Sequence, residues 1–568
     1  MPETQTLSGG QAAVEALRAE RVEVVFGLIG SAAMELFDAL YDADEIRFIG
    51  VRDERTGAHM ADGYARASGR AGVIVAGQNG PGSTNLVTGL AQAAAAYSPV
   101  VSIAGALSSA HLYRDAFQEV DQQSLFAPIT KRTWTATQTA RVAEMMRQAF
   151  RVAMTPRRGP VQLNLPRDIL AGVAEFDAFQ RPRQYRCHSL PVGAEHAIAE
   201  AAELLRGAQR AVIVAGGGIK NGGDGAAAAA LSLAEALNAP VATAPGHGDA
   251  VPFDHPLNAG QMGPRGNPVA SRLVKEADVI LALGTRLGFN STFFSYEHIN
   301  ARAKIIQVEI EPGAIGRHFP VSVGIWADAP SAARQLRDAL GVLQQRAEAD
   351  AWTQAFREQR AAYLHQRDAD ADDAHPIQPS GLFKQLRATL PADAMITLDA
   401  GTLCLQATDA LDYRQPPCLF TPLDFGLIGF SFACGLGVKL AQPHRPVISL
   451  MGDGGFGMTV SELATAVASG IHTVTLVLNN QCWGAEKAYQ RDFFDGRYIG
   501  SDLHNPRFDQ LAELYGAKGF RVERIGEVGE AVQAALQCGN AAVVDIAVDP
   551  DALYSFRRDS FAHRAQKP

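Results

Sequence analysis

The sequence predicts an α/β protein made of three doubly wound parallel-sheet units. Three observations carry this reading. Short apolar runs ending in glycine alternate with helix-length segments, the pattern of parallel strands with helices on both faces. Two polar stretches divide the chain, at Phe179 to Ser189 and at about 345–378. And 568 residues exceed what one core accommodates, fitting three or four domains of about 150 residues each.

In chain order, the first unit spans 1–180. Its strands read from Val24-Val25-Phe26-Gly27, Arg47 to Val51, Gly72 to Ala76, Pro99 to Ile103 and Val161 to Leu165. The second spans 190–345, with strands at Ala211 to Ala215 (leading into Gly216-Gly217-Gly218), Val279 to Gly284 and Ile305 to Ile310. An exposed helix and linker, rich in Ala, Asp, Gln and Arg, leads to the third unit at 375–550. Strands there read from Met395 to Asp399, Pro446 to Leu450, Thr473 to Leu478 and Ala542 to Val548. Residues 551–568 form a tail.

Composition excludes several functions. A net charge of −9 argues against nucleic-acid binding, and it obliges any anionic substrate to find a local basic cluster. No run of about 18 apolar residues suggests a membrane span. The start, Met-Pro-Glu-Thr-Gln-Thr, lacks a leader pattern. Six scattered cysteines lack CxxC spacing, so reduced thiols in a cytoplasmic protein are expected rather than zinc or disulfides.

One motif carries chemistry. A strand runs into Met451-Gly452-Asp453-Gly454-Gly455-Phe456, and 27 residues after Asp453 a second strand ends at Asn479-Asn480. That spacing fits one helix and the next parallel strand, so both groups reach the carboxyl edge of one sheet, where open α/β sheets bind ligands. Gly452, Gly454 and Gly455 expose backbone N–H groups to phosphate oxygens. Asp453, Asn480 and a backbone carbonyl near Cys482 offer oxygens to Mg²⁺.

Gly452-Asp453-Gly454 through Asn479-Asn480 resembles the signature of thiamine diphosphate (ThDP) enzymes. Nearly the whole chain is similar to their acetohydroxyacid synthase/pyruvate oxidase branch, which implies pyrimidine-binding, central and diphosphate-binding domains in that order. The segment Gln78 to Asn85 is similar to the pyrimidine-side loop, and the resemblance adds Gly401 and Thr402 to the cofactor contacts. It also implies a catalytic glutamate, matched by Glu54 ahead of Gly57-Ala58-His59-Met60-Ala61-Asp62-Gly63. Kept protonated by burial, such a glutamate shares its proton with the aminopyrimidine ring and activates the thiazolium carbon. An acid at a helix N-terminus, taken alone, is ordinary. Ile428 takes the place of the apolar wedge that bends the cofactor; acetohydroxyacid synthases usually carry Met there.

Within the branch, Gly30-Ser31-Ala32, the stretch Trp483-Gly484-Ala485-Glu486-Lys487 with Gln490, Asp492-Phe493 and Arg497, and Phe556-Arg557-Arg558-Asp559 resemble the sulfoacetaldehyde acetyltransferase subgroup. The resemblance implies a small anionic carbonyl substrate with phosphate as acceptor. Gln118 and Lys487 join Glu54 as catalytic candidates. Ser31, Arg114, Arg491, Arg497, Arg557 and Arg558 are the anion-binding candidates, with Arg offering a bidentate fork. Relatives hold FAD or ADP in the central domain, but the expectation here is a buttress without a nucleotide. The resemblance also implies a homodimer or homotetramer with active sites at the subunit interface. An acetolactate synthase-type carboligase, a 2-oxo acid decarboxylase or a non-catalytic homologue are the alternatives.

Overall fold

A computed structural model describes residues 4–343 and 346–565. Residues 1–3, where a leader pattern is judged absent, the end of the second unit at 344–345 and the last three tail residues lie outside the described residues.

The first sheet holds β1 (Val24–Leu28), β2 (Arg47–Gly50), β3 (Gly72–Ala76), β4 (Val100–Ala106), β5 (Thr133–Thr135) and β6 (Val161–Pro166), in the order β2-β1-β3-β4-β6-β5. The second holds β7 (Ala211–Ala215), β8 (Val241–Thr243), β9 (Asn258–Gln261), β10 (Val279–Leu283), β11 (Lys304–Glu309) and β12 (Val323–Trp326), ordered β9-β8-β7-β10-β11-β12. The third holds β13 (Met395–Leu398), β14 (Leu419–Phe420), β15 (Val447–Gly452), β16 (Val474–Asn479), β17 (Lys518–Val522) and β18 (Ala542–Ala547), ordered β14-β13-β15-β16-β18-β17. All three sheets are parallel. The first and third share one strand order, whereas the middle sheet has the order of dinucleotide-binding domains. A two-stranded ribbon pairs Gln5–Ser8 with Val173–Phe176.

Parallel strands buried on both faces read as continuous apolar runs, and β3 and β4 are buried throughout. The strands without such runs are the short or polar ones: β5, β8, β9, β12, β14 and β17. Helix α1 (Glu54–Ser68) starts at the Asp53 cap and stops at Gly69, whose φ of +70° favours glycine. It is buried nearly all round because it lies between the first sheet and α2 (Ser431–Ala441) of the third unit. Two glycines permit that crossing: a Cβ on Gly63 would sit 2.2 Å from the Cys434 carbonyl oxygen, and one on Gly437 1.9 Å from that of Met60. A single apolar core therefore runs from Phe26 and Met60 to Phe432 and Phe456. No described helix is long and apolar enough to cross a membrane.

The helix Ala347–Ala369 is the helix expected in that stretch, largely exposed but anchored along one side. Phe356 is buried in the central core, and Thr353 donates to the Asn238 carbonyl. Its polar composition hid one narrow anchoring stripe.

Candidate active site

The site begins at the carboxyl edge of the third sheet. β13, β15 and β16 are hydrogen-bonded neighbours in parallel register. The turns that follow them, at Gly401-Thr402, Gly452 to Gly455 and Asn480 to Cys482, therefore meet at one edge. The juxtaposition is tight: a Cβ on Gly484 would lie 3.0 Å from Asn480 Nδ2 and 3.5 Å from Thr402 Oγ1.

Asp453 opens the short helix Asp453–Gly457 and is buried. Burial pushes its carboxyl up to about 7, against backbone N–H groups and the Asn505 amide, which donates to Oδ2 at 2.7 Å. The two asparagines divide the work. Asn479 donates to the buried Asp545 at 3.0 Å and so braces β16 against β18. The Asn480 side chain makes no hydrogen bond among the described residues. Cys482 is the non-hydrogen-bonded member of a bridge to Asp502, because the flanking bonds run from Trp483 N to Ser501 O and from Leu503 N to Gln481 O. Its carbonyl takes no part in that bridge and accepts no backbone hydrogen bond among the described residues, while burial raises the thiol to about 11. An acidic oxygen, an amide and that carbonyl at one edge suit a hard cation. No group of three or more His, Cys, Asp or Glu placed to hold a metal ion occurs among the described residues, so such a cation would depend on Asp453 together with Asn480, the carbonyl and the oxygens of a bound diphosphate.

The glycines shape the cradle. Around Gly401 and Gly452 a Cβ would meet nothing within 4 Å. Gly454 would strike the Trp483 ring at 2.4 Å and Gly455 the Asp399 carboxylate at 2.2 Å. Asp399 went unrecognised in the sequence. It is buried, its carboxyl pushed up to about 6 by desolvation against the N–H groups of Gly429, Phe430 and Ser431, which donate at 2.9, 2.7 and 3.2 Å. That clamp fixes the turn presenting Ile428, which is half-buried and belongs to none of the apolar cores.

The first unit contributes Glu54, 3% exposed at the start of α1. Asn85 Nδ2 donates to its Oε2 at 3.0 Å, and a Cβ on Gly82 would lie 2.9 Å from Oε1. Desolvation holds the carboxyl above its ordinary range, and the Asn85 bond pulls the other way. Gln78 is the hub sequence reasoning passed over. Its Oε1 accepts from Ser31 N at 2.9 Å and Ser31 Oγ at 3.1 Å, while its amide donates to Gln118. Gln118 itself holds φ +62° and accepts from Asn79 through its carbonyl at 2.8 Å. Ser31 and Gln118 are thus brought together.

The basic candidates are dispersed. Lys487 pairs with Asp502 at 2.7 Å and sits 5.5 Å from the Tyr498 ring centroid. Arg491 pairs with Asp492, and Arg557 with Asp559. Arg114, Arg497 and Arg558 are exposed.

Three family models match the chain. The "Thiamine pyrophosphate enzyme, N-terminal TPP binding domain" covers 7–125, the "central domain" 198–336 and the "C-terminal TPP binding domain" 399–546. The "Sulfoacetaldehyde acetyltransferase" of Alcaligenes xylosoxydans xylosoxydans is 35% identical over 98% of this chain and 95% of its own. The protein of the same name from Castellaniella defragrans is 34% identical over 98% and 96%. The "Probable acetolactate synthase large subunit" of Methanocaldococcus jannaschii is 34% identical over 96% and 92%.

Proposed function

The chain belongs to the thiamine diphosphate-dependent enzymes, and on that premise we propose that it converts sulfoacetaldehyde and inorganic phosphate into acetyl phosphate and sulfite. The reaction balances without an outside oxidant. The aldehyde carbon rises to the acyl level, the neighbouring CH₂ becomes CH₃, and the C–S electron pair leaves with sulfite. Bound ThDP supplies a carbon nucleophile that also stores the electron pair at the reacting carbon.

The residues fit that cofactor. The open backbone at Gly401 and Gly452 and the N-terminus of the helix at Asp453 would receive its diphosphate. Asp453, Asn480 and the Cys482 carbonyl would hold Mg²⁺ beside it. Ile428 would support the bend, and Glu54 would keep a proton on its carboxyl for the aminopyrimidine ring, with Asn85 orienting that carboxyl.

The observation that carries the reading is the buried, asparagine-held Glu54 carboxyl on the same chain as the Asp453 turn. The choice of sulfoacetaldehyde is supported by the subgroup stretches at Ser31, Trp483 to Lys487 and Phe556 to Asp559, and by the relatives' names. Exposed Ile29, Tyr113 and Phe117 around Ser31 and Gln118 support assembly into a homodimer or homotetramer with the site at the subunit interface. We place the enzyme in the cytoplasm, with the central domain as a buttress without a nucleotide.

The archaeal relative favours a second reading, a carboligase acting on pyruvate. Sulfite and acetyl phosphate from sulfoacetaldehyde, measured beside CO₂ and acetolactate from pyruvate, separate the two. Rapid pyruvate turnover without sulfite rejects the first. Stabilisation by ThDP and Mg²⁺ without turnover of either substrate points to a non-catalytic homologue.

A further inference from the structure

Three buried donors beneath the C-terminal tail have no partner among the described residues: Arg265 Nε, Arg265 Nη2 and the Tyr489 hydroxyl. Arg265 comes from the central unit and uses only Nη1, on Asn290 Oδ1 at 3.2 Å. Nε and Nη2 form the side-on fork with which a guanidinium grips two oxygens of one anion. The fork is held by aromatic rings, 5.2 Å from the Phe293 centroid and 5.0 Å from that of Phe556 in the tail.

A second cation lies nearby. Arg557 sits 5.4 Å from the Phe289 centroid, and the Phe289 and Phe293 centroids are 4.9 Å apart. Burial and then the Arg557 charge pull Arg265 below the ordinary guanidinium range. Tyr489 packs on Phe556 and Phe561 with centroids 5.9 and 5.0 Å away. Tyr489 stands five residues, about 7–8 Å along the helix, beyond Gly484, where a Cβ would lie 3.0 Å from Asn480 Nδ2.

Arg557 is already paired with Asp559, but the unpaired buried donors of Arg265 and Tyr489 remain costly unless an anion takes them. We propose that Arg265, Tyr489 and Arg557 seat a tetrahedral oxyanion, and we assign it to the inorganic phosphate that accepts the acyl group. This assignment rests on the reaction proposed above. It gives the central unit a part in the site beyond support.

Titrating full-length enzyme loaded with ThDP and Mg²⁺ with inorganic phosphate by calorimetry tests the site without turnover. Arg265→Met is expected to raise the phosphate Kd by about tenfold or more, Arg265→Lys to restore part of the loss, and Tyr489→Phe to raise it severalfold. Unchanged ThDP affinity shows that each variant has folded. In turnover, the KM for phosphate rises in step while that for sulfoacetaldehyde holds. A rise confined to sulfoacetaldehyde gives the seat to the sulfonate and overturns the acceptor assignment. An unchanged phosphate Kd in both Arg265→Met and Tyr489→Phe overturns the site. If wild-type enzyme makes no acetyl phosphate, the reaction fails but the titration still decides the seat.

Discussion

Asn85 donates to Glu54 across 3.0 Å, and this bond opposes the desolvation that raises the Glu54 carboxyl above its ordinary range. The amide thus sets how far the acid is raised as well as where it points. Glu54→Gln keeps the shape and loses the transferable proton. Turnover should fall by about 10²–10⁴-fold with circular dichroism and Tm little changed. Asn85→Ala removes the group favouring the charged form, so the pH at which activity is lost on the alkaline side should move upward.

Asp453 makes the metal-free protein sensitive to pH. Its folded value, about 7, lies above the 3.8 of a free aspartate. The folded state therefore holds a proton that the unfolded chain has released, and stability without ligand falls as pH rises from about 4 to about 7. A cation needs the ionised form and removes the penalty. The rise in Tm caused by ThDP with Mg²⁺ should be larger at pH 8 than at pH 5. An equal rise at both contradicts the assignment of Asp453 to the metal.

The neighbouring asparagines should fail differently. Asn480→Ala is expected to abolish Mg²⁺-dependent cofactor binding while leaving the fold near normal. Asn479→Ala leaves buried Asp545 short of a donor and should cost about 1–3 kcal/mol in denaturant unfolding, with cofactor affinity less affected.

At the wedge, Ile428→Met should retain turnover, since an apolar side chain of similar reach replaces it. Ile428→Ala should lower kcat by about tenfold or more with KM little changed, because orientation rather than binding is lost. Steady-state kinetics of the two variants decide this.

Much of this was legible in the sequence. Asp453 and Asn480 stand beside strands with long apolar runs, and Glu54 follows the shorter run at Phe48 to Val51, so their places at sheet edges follow from pattern. Strands β14 and β8 escaped because two or three residues carry no periodicity, and β17 because Lys518 and Arg521 make it polar. Gln78, Asp399 and Asn505 act through contacts with residues 40, 30 and 52 positions away, which spacing does not reveal. The basic candidates differ in another way. Charge is visible in a sequence, but the carboxylates that neutralise Lys487 and Arg491 are visible only in the fold.

The central claim is that Glu54 and the Asp453 turn serve one ThDP site. Exchange of the C2 proton of bound ThDP for deuterium, followed by NMR in wild-type and Glu54→Gln protein at equal cofactor occupancy, tests it without any substrate. The account predicts fast exchange in the wild type, slowed by about two orders of magnitude or more in the variant. Equal exchange rates in the two proteins would contradict it.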